Sequence, residues 1–212
     1  MAKYVLLWLE GPMQSWGTDS LFTMRSTNLF PSKSAILGMI CLACGRLGEQ
    51  REFLNSFADT QWDALAFTYK ERREPRLNDY QGVGGGYDKS DYWQFLCVPK
   101  KTDGSPAGAV FGNKIIQKDY IQDMTFAVIM EIPDELLEEI SQCLQFPQYA
   151  TYLGRKCCTP SEFVFQGIFS DEESAQKKAQ EIAVSKELRK FDETRDCFSI
   201  PKVFGLHKEY SK

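Results

Sequence analysis

Three features of the chain predict an α+β fold. Compact apolar runs of strand length lie at 3–9, 124–132 and 162–169, and an alternating apolar/polar segment lies at 61–71. Two helix-like segments at 32–45 and 133–144 fall between them. In chain order these give β-α-β-(excursion)-β-α-β up to residue 169, the ferredoxin-like split pattern. The 212 residues are 43% hydrophobic and 25% charged, the balance of an ordinary globular chain rather than a disordered or collagenous one. One large domain or two small ones can bury a proper core at this length.

Residues 3–9 (KYVLLWL) read as a buried strand; Glu10 interrupts the run and no small-residue cleavage site follows, unlike a signal peptide. A polar, Gly-containing loop runs from Glu10 to Pro31. Ser32 then occupies an N-cap position, and SKSAILGMICLACG continues almost wholly apolar to Gly45, a helix stop. Such a helix is buried nearly all round. Gly38 in its middle costs about 1 kcal/mol against Ala, which predicts that something packs close there. A short amphipathic helix is expected at 50–57, with Phe53, Leu54 and Phe57 on one face, and the strand at 61–71 follows.

From 72 to 118 the composition shifts to NDYQGVGGGYD and KKTDGSPAGAVFGN, a long excursion of the kind that is functional or mobile in compact domains. MTFAVIMEI (124–132) is a strand by its β-branched and aromatic content. Pro133 starts a helix that carries Leu136, Leu137, Ile140 and Leu144 on one face. EFVFQGIF (162–169) is the next strand. DEESAQKKAQEIAVSKELRK is read as a helix, acidic at its start and basic at its end as the dipole favours, and a last strand is expected at 197–204. The domain expectation is therefore 1–170, with an extension at 171–212.

Charge and cysteine usage narrow the functions. The chain carries 25 basic and 29 acidic side chains, net −4, and residues 171–212 are balanced, so the first 170 carry the whole excess. A protein that alone covers a long stretch of nucleic acid is usually basic; a local basic site, or a subunit sharing its RNA, remains compatible. No apolar run approaches the roughly 18 residues that a membrane helix needs, so no membrane role is expected. Seven cysteines, an odd number in a chain that needs no staples, point to a reducing, cytoplasmic setting. Cys41 and Cys44 form a C-x-x-C, but inside an apolar helix and with no second pair. The only histidine is His207. The converging ligands of a zinc site are not offered by this pattern: no metal and no cofactor are expected, and these cysteines, with Cys157 and Cys158, read as packing.

Other catalytic signatures fail as well. GVGGGYD lacks the third glycine of G-x-G-x-x-G, Lys33-Ser34 has no preceding G-x-x-x-x-G, and no G-x-S-x-G elbow exists. Glu135, Glu138 and Glu139 read as the solvated face of a helix. No catalytic residue is assigned, although an enzyme using only Tyr and Lys stays open.

Three loop segments combine polar, basic and aromatic side chains. EGPMQSWG (10–17) leaves the first strand. MRSTNLFPSKS (24–34) places Arg25 on a loop and Lys33-Ser34 at a helix start, where free N–H groups and hydroxyls would seat a phosphate; the alternative is that Ser32 caps the helix and Lys33 is solvated. YATYLGRKCC (149–158) is a Gly-centred turn presenting Tyr149, Tyr152, Arg155 and Lys156. Stacking aromatics interleaved with cations hold single-stranded RNA.

At these segments the chain resembles the CRISPR-associated Cas-five family, and specifically its type I-E members. Gly11, Pro12, Met13, Gln14, Trp16 and Gly17 match GPMQ-small-WG. Phe30, Pro31, Ser32, Lys33, Ser34 and Gly38 match F-P-(T/S)-(K/R)-S-x-x-x-G. Tyr152, Leu153, Gly154, Arg155 and Lys156 match Y-L-G-R-(K/R), followed by Cys158 and Pro160 with a one-residue departure in spacing. KDYIQDMTFAV (118–128) resembles the family's entry into its next strand. The likeness spans nearly all of 1–170 in order, and no motif matches in 171–212.

The resemblance implies a ferredoxin-like (RRM-like, RAMP superfamily) domain, a projecting thumb hairpin corresponding to 72–118, and a small C-terminal addition. It implies a Cascade subunit that holds the 5′ handle of the crRNA and caps the backbone filament. Its contacts would be the neighbouring backbone subunit, the PAM-reading large subunit and, through the complex, target DNA. On this reading Arg25, Lys118, Arg155 and Lys156 neutralise phosphates and the helix start at Lys33-Ser34 takes one more. Gln14 and the backbone at Gly154 clamp splayed bases, while Trp16 and Tyr152 either stack or pack in the core. The alternative is a metal-independent endoribonuclease that cuts CRISPR repeat RNA, as in the type I-C relative; that enzyme's histidine has no counterpart before residue 207.

Overall fold

The computed structural model describes residues 3–17, 20, 23–69, 76–83, 90–97, 101–105 and 114–191. Strand β1 (Lys3–Glu10) is followed by four two-residue strands, β2 (Met13–Gln14), β3 (Trp16–Gly17), β4 (Met24–Arg25) and β5 (Thr27–Asn28). Helices α1 (Lys33–Ala43) and α2 (Arg51–Asn55) precede β6 (Trp62–Thr68), β7 (Arg76–Val83) and α3 (Tyr92–Cys97). Strand β8 (Lys114–Gln122) runs into β9 (Met124–Ile132), a 3-10 turn leads to α4 (Leu137–Gln145), and β10 (Phe165–Phe169), α5 (Glu172–Ser185) and β11 (Arg189–Lys190) follow.

The main sheet has the order β10-β1-β9-β6-β11, and every neighbouring pair is antiparallel. The first apolar run, β1, lies inside it, between the third and fourth strands of the expected set. Its unbroken hydrophobicity has a direct cause: it is covered on both faces. Val5, Leu7 and Leu9 join Ile36 and Ile40 of α1 and Ile140 and Leu144 of α4 in one core. Leu6 and Trp8 face the other way, with Phe67 and Ile129, onto Ala175, Ala179 and Ala183 of α5.

Two boundaries differ from the sequence expectation. The helix expected to reach residue 190 stops at Ser185. Lys186 caps it, Glu187 takes a left-handed φ of 57°, and Arg189 and Lys190 pair with Thr68 and Phe67 at the edge of the sheet. Open ladder groups on β6 outcompete helix propensity there. The polar loop 10–31 contains four short strands, and the excursion contains a long hairpin in which β7 and β8 pair from Arg76↔Ile121 to Val83↔Lys114. The strand expected at 197–204 lies outside the described residues, as does most of the Gly-rich run.

Strands β8 and β9 are one course of chain broken at Asp123, whose φ is 57°. The break sends β8 into a second sheet, ordered β2-β8-β4 with β7 on its flank. Gln14 fastens this junction. Fully buried, its amide donates to Leu9 O at 3.0 Å and to Met124 O at 2.8 Å. Thr68 Oγ1 donates to Asp123 O at 3.1 Å.

Candidate functional site

The three loop segments meet. Ser15 N donates to Leu153 O at 3.0 Å, and Ser161 N donates to Glu10 O at 2.8 Å, so the segment leaving β1 lies backbone to backbone against 153–161. Two glycines permit this approach. A Cβ at Gly11 would stand 2.8 Å from Thr159 O. At Gly154, where φ is +92°, a Cβ would stand 1.7 Å from Ser15 O, a distance no side chain tolerates.

Arg155 ties in the second segment. Its guanidinium donates to Asp119 O at 2.9 Å and to Arg25 O at 2.6 Å, and lies 4.7 Å over the Tyr120 ring. Ser15 Oγ also donates to Asp119 O, at 3.3 Å. Burial, with the Cys157 thiol beside it, raises the Tyr120 hydroxyl above its ordinary value of 10.0 despite Arg155, so the phenol stays protonated at neutral pH.

Between these segments and α1 opens a cleft of about 430 Å³. Arg25, Tyr152, Gly154 and Arg155 line one side, with Ser15, Gly17 and Ser20; Ala35, Gly38, Met39 and Leu42 of α1 line the other. Among the described residues, the lining holds two guanidinium side chains and no carboxylate. Lys118 lies in register with Arg25 across the parallel β4–β8 pairing, and Lys156 is exposed on the adjoining turn. Sequence reading had not marked Ser15 or the α1 face, although Gly38 was a signal. It is exposed, and a Cβ there would find nothing within 4 Å. The expectation that a neighbour packs against Gly38 is therefore corrected: the missing side chain leaves the cleft open.

Three expected RNA contacts are corrected by burial. Gln14 has its amide engaged inside. Trp16 is 1% exposed, part of the core that includes Leu153 and Ile36, and its backbone N–H donates to Thr27 Oγ1 at 2.7 Å; core packing is what the structure gives it. Lys33 is neither solvated nor at the surface: Nζ donates to Phe57 O at 2.6 Å and Thr60 O at 2.7 Å, and burial lowers its pKa below 10.5. Ser32 caps α1 by accepting from Ala35 N at 3.2 Å. Ser34 stays exposed, its Oγ 3.1 Å from that of Ser32, and is not in the cleft lining. Tyr152 is half-buried in the cleft wall, available along one side.

Residues 4–198 match the family described as CRISPR-associated protein (Cas_Cas5). The CRISPR system Cascade subunit CasD of Escherichia coli (strain K12) is 25% identical, over 79% of this chain and 71% of that protein. Among solved structures, a chain of a CRISPR RNA-guided surveillance complex is 28% identical with a TM-score of 0.61, over 76% of this chain and 61% of that one. The crystal structure of a Cas protein is 25% identical with a TM-score of 0.51, over 82% of this chain and 69% of that one. The chain thus spans less than two thirds of the first of these solved chains.

Proposed function

Because the chain belongs to the CRISPR-associated protein (Cas_Cas5) family, we propose that it is a non-catalytic RNA-binding subunit of a type I-E Cascade complex. It holds the 5′ handle of the crRNA in the cleft between α1 and residues 152–155 and caps the backbone filament. The carrying observation is the convergence of three separate loop segments on a cleft that presents Arg25 and Arg155 and, among the described residues, no acid. Cations that face phosphate without a competing carboxylate favour nucleic acid over a protein's own surface. The strand order, with the first strand between the third and fourth, supports a ferredoxin-like reading, and the β7–β8 hairpin with α3 supports a thumb.

Arg25, Lys118 and Lys156 neutralise handle phosphates, Tyr152 offers a ring edge to a base, and the Gly154 backbone comes close to the strand. Arg155 acts as clamp and cation together, since two of its five donors already hold the loops. Trp93, Phe146 and Phe163 stand 75%, 79% and 83% exposed, apolar surface of a kind that subunit contacts cover. The partners so read are the backbone subunit, the PAM-reading large subunit and, through the complex, target DNA.

Anisotropy titrations with a labelled handle RNA test the cleft. Arg25→Ala and Lys156→Ala each weaken binding and lower the salt slope by about 0.7 for a single strand. Unchanged affinity and slope in the double variant overturn the cleft as the RNA seat. A single cut in repeat RNA under EDTA, by the purified chain, overturns the non-catalytic role.

A further inference from the structure

Away from the cleft, the end of α1 meets α4 at a cluster of two cysteines and a glutamate. Cys44 is the C-cap of α1, and Glu139 and Cys143 are one turn apart on α4. The two sulfurs and the carboxylate oxygen lie within 4.8 Å of one another. Cys44 and Cys143 are half-buried, and Glu139 opens to solvent, which gives an ion a way in.

The surroundings hold these three groups in place. Gly45 turns the chain in the left-handed region at φ 69°, returning Arg46 over α4. There Arg46 donates to both carboxylate oxygens of Glu139, at 2.8 and 2.9 Å, with its guanidinium 4.5 Å over the Phe53 ring. A carboxylate oriented by a second group is the usual support of a metal ligand. Charge closes as well: two thiolates, one carboxylate, one guanidinium and a divalent cation sum to zero, so a half-buried site carries no net charge when filled.

We propose that Cys44, Cys143 and Glu139 form a binding site for a thiophilic divalent cation of the zinc class, with solvent in the fourth position and Arg46 orienting the carboxylate. Two sulfurs and one oxygen suit zinc or cadmium rather than magnesium or calcium, which take oxygen ligands. Binding breaks two S–H bonds and forms two metal–sulfur bonds, with both protons leaving to solvent and no change of oxidation state. One carboxylate oxygen turns to the metal while the other keeps Arg46. Because both thiols give up their protons to the ion, uptake is favoured by rising pH. The ion would staple α1 to α4.

Cadmium titration of the reduced, metal-stripped chain tests this through the ultraviolet thiolate-to-cadmium band. One equivalent is expected to saturate it, and Cys44→Ser or Cys143→Ser removes it, while Cys41→Ser, whose sulfur is outside the cluster, keeps it. Arg46→Met weakens affinity by roughly tenfold. If the serine variants fail to fold, alkylation of the native chain decides: zinc protects Cys44 and Cys143 together, read by peptide mass. No band, a band that survives loss of both cysteines, or alkylation unaffected by zinc overturns the proposal. So does loss of two hydrogens on mild oxidation with no metal taken up, which makes the pair a disulfide couple instead.

Discussion

At the scale of single residues, the motif positions divide into those that build the cleft and those that face it. Gly154 builds it: left-handed φ and a 1.7 Å approach to Ser15 O leave no room for a methyl group. Gly154→Ala is expected to cost about 2 kcal/mol or more in urea unfolding and to loosen 15–17 from 153–158. Lys33 likewise builds. Lys33→Met removes the donor to Thr60 O and one of the donors to Phe57 O, which keeps Thr60 Oγ1, so stability falls by about 1–3 kcal/mol, while RNA affinity of the folded fraction is unchanged; a selective loss of affinity instead returns Lys33 to the contact set. Gly38 faces the cleft. Gly38→Ala gains about 0.5–1 kcal/mol of helix propensity in open space, whereas Gly38→Leu fills the cleft and lowers handle affinity. A stabilised Gly38→Leu protein that binds RNA normally would remove α1 from the site.

At the scale of elements, α5 decides which surface of the sheet is available. It buries Leu6, Trp8, Phe67 and Ile129 beneath Ala175, Ala179 and Ala183, so the sheet face that stacks RNA in RRM domains is closed and the loop side is left. Its docking is partly ionic. Lys186 Nζ lies 3.0 Å from Glu10 Oε2 and 3.0 Å from Glu162 Oε2, and Trp8 Nε1 donates to Glu10 Oε2 at 2.7 Å. Burial alone would lower the Lys186 pKa, but the two glutamates raise it above 10.5; Lys186 chiefly holds Glu162 below 4.5. A lowered carboxyl stabilises above its unfolded value and fades as pH falls through its folded one; a raised ammonium stabilises below 10.5 and fades at higher pH. The contribution is thus full between about 4.5 and 10.5, and Glu162→Gln is expected to flatten the acid limb of the thermal stability profile. An identical acid limb in the variant would show the pair to be idle.

At the scale of the molecule, the four strands and their two helices were legible because β1 and β9 are unbroken apolar runs of strand length, buried on both faces, while the apolar residues of α4 recur with the helical period. The sequence also marked the three loop segments, through Gly11, Gly154 and the basic residues between strands. What it could not carry was direction. Gln14, Trp16 and Lys33 have the chemistry of RNA contacts, yet a break at Asp123 and a turn at 57–60 bring backbone carbonyls to two of them and core to the third. Cys44 and Glu139 lie 95 residues apart and became neighbours only when α4 packed on α1. Local periodicity determines which residues are strand, helix or loop; whether a polar side chain points inward, outward or at a distant partner depends on which backbone groups lack hydrogen bonds after packing, and only the tertiary structure decides that.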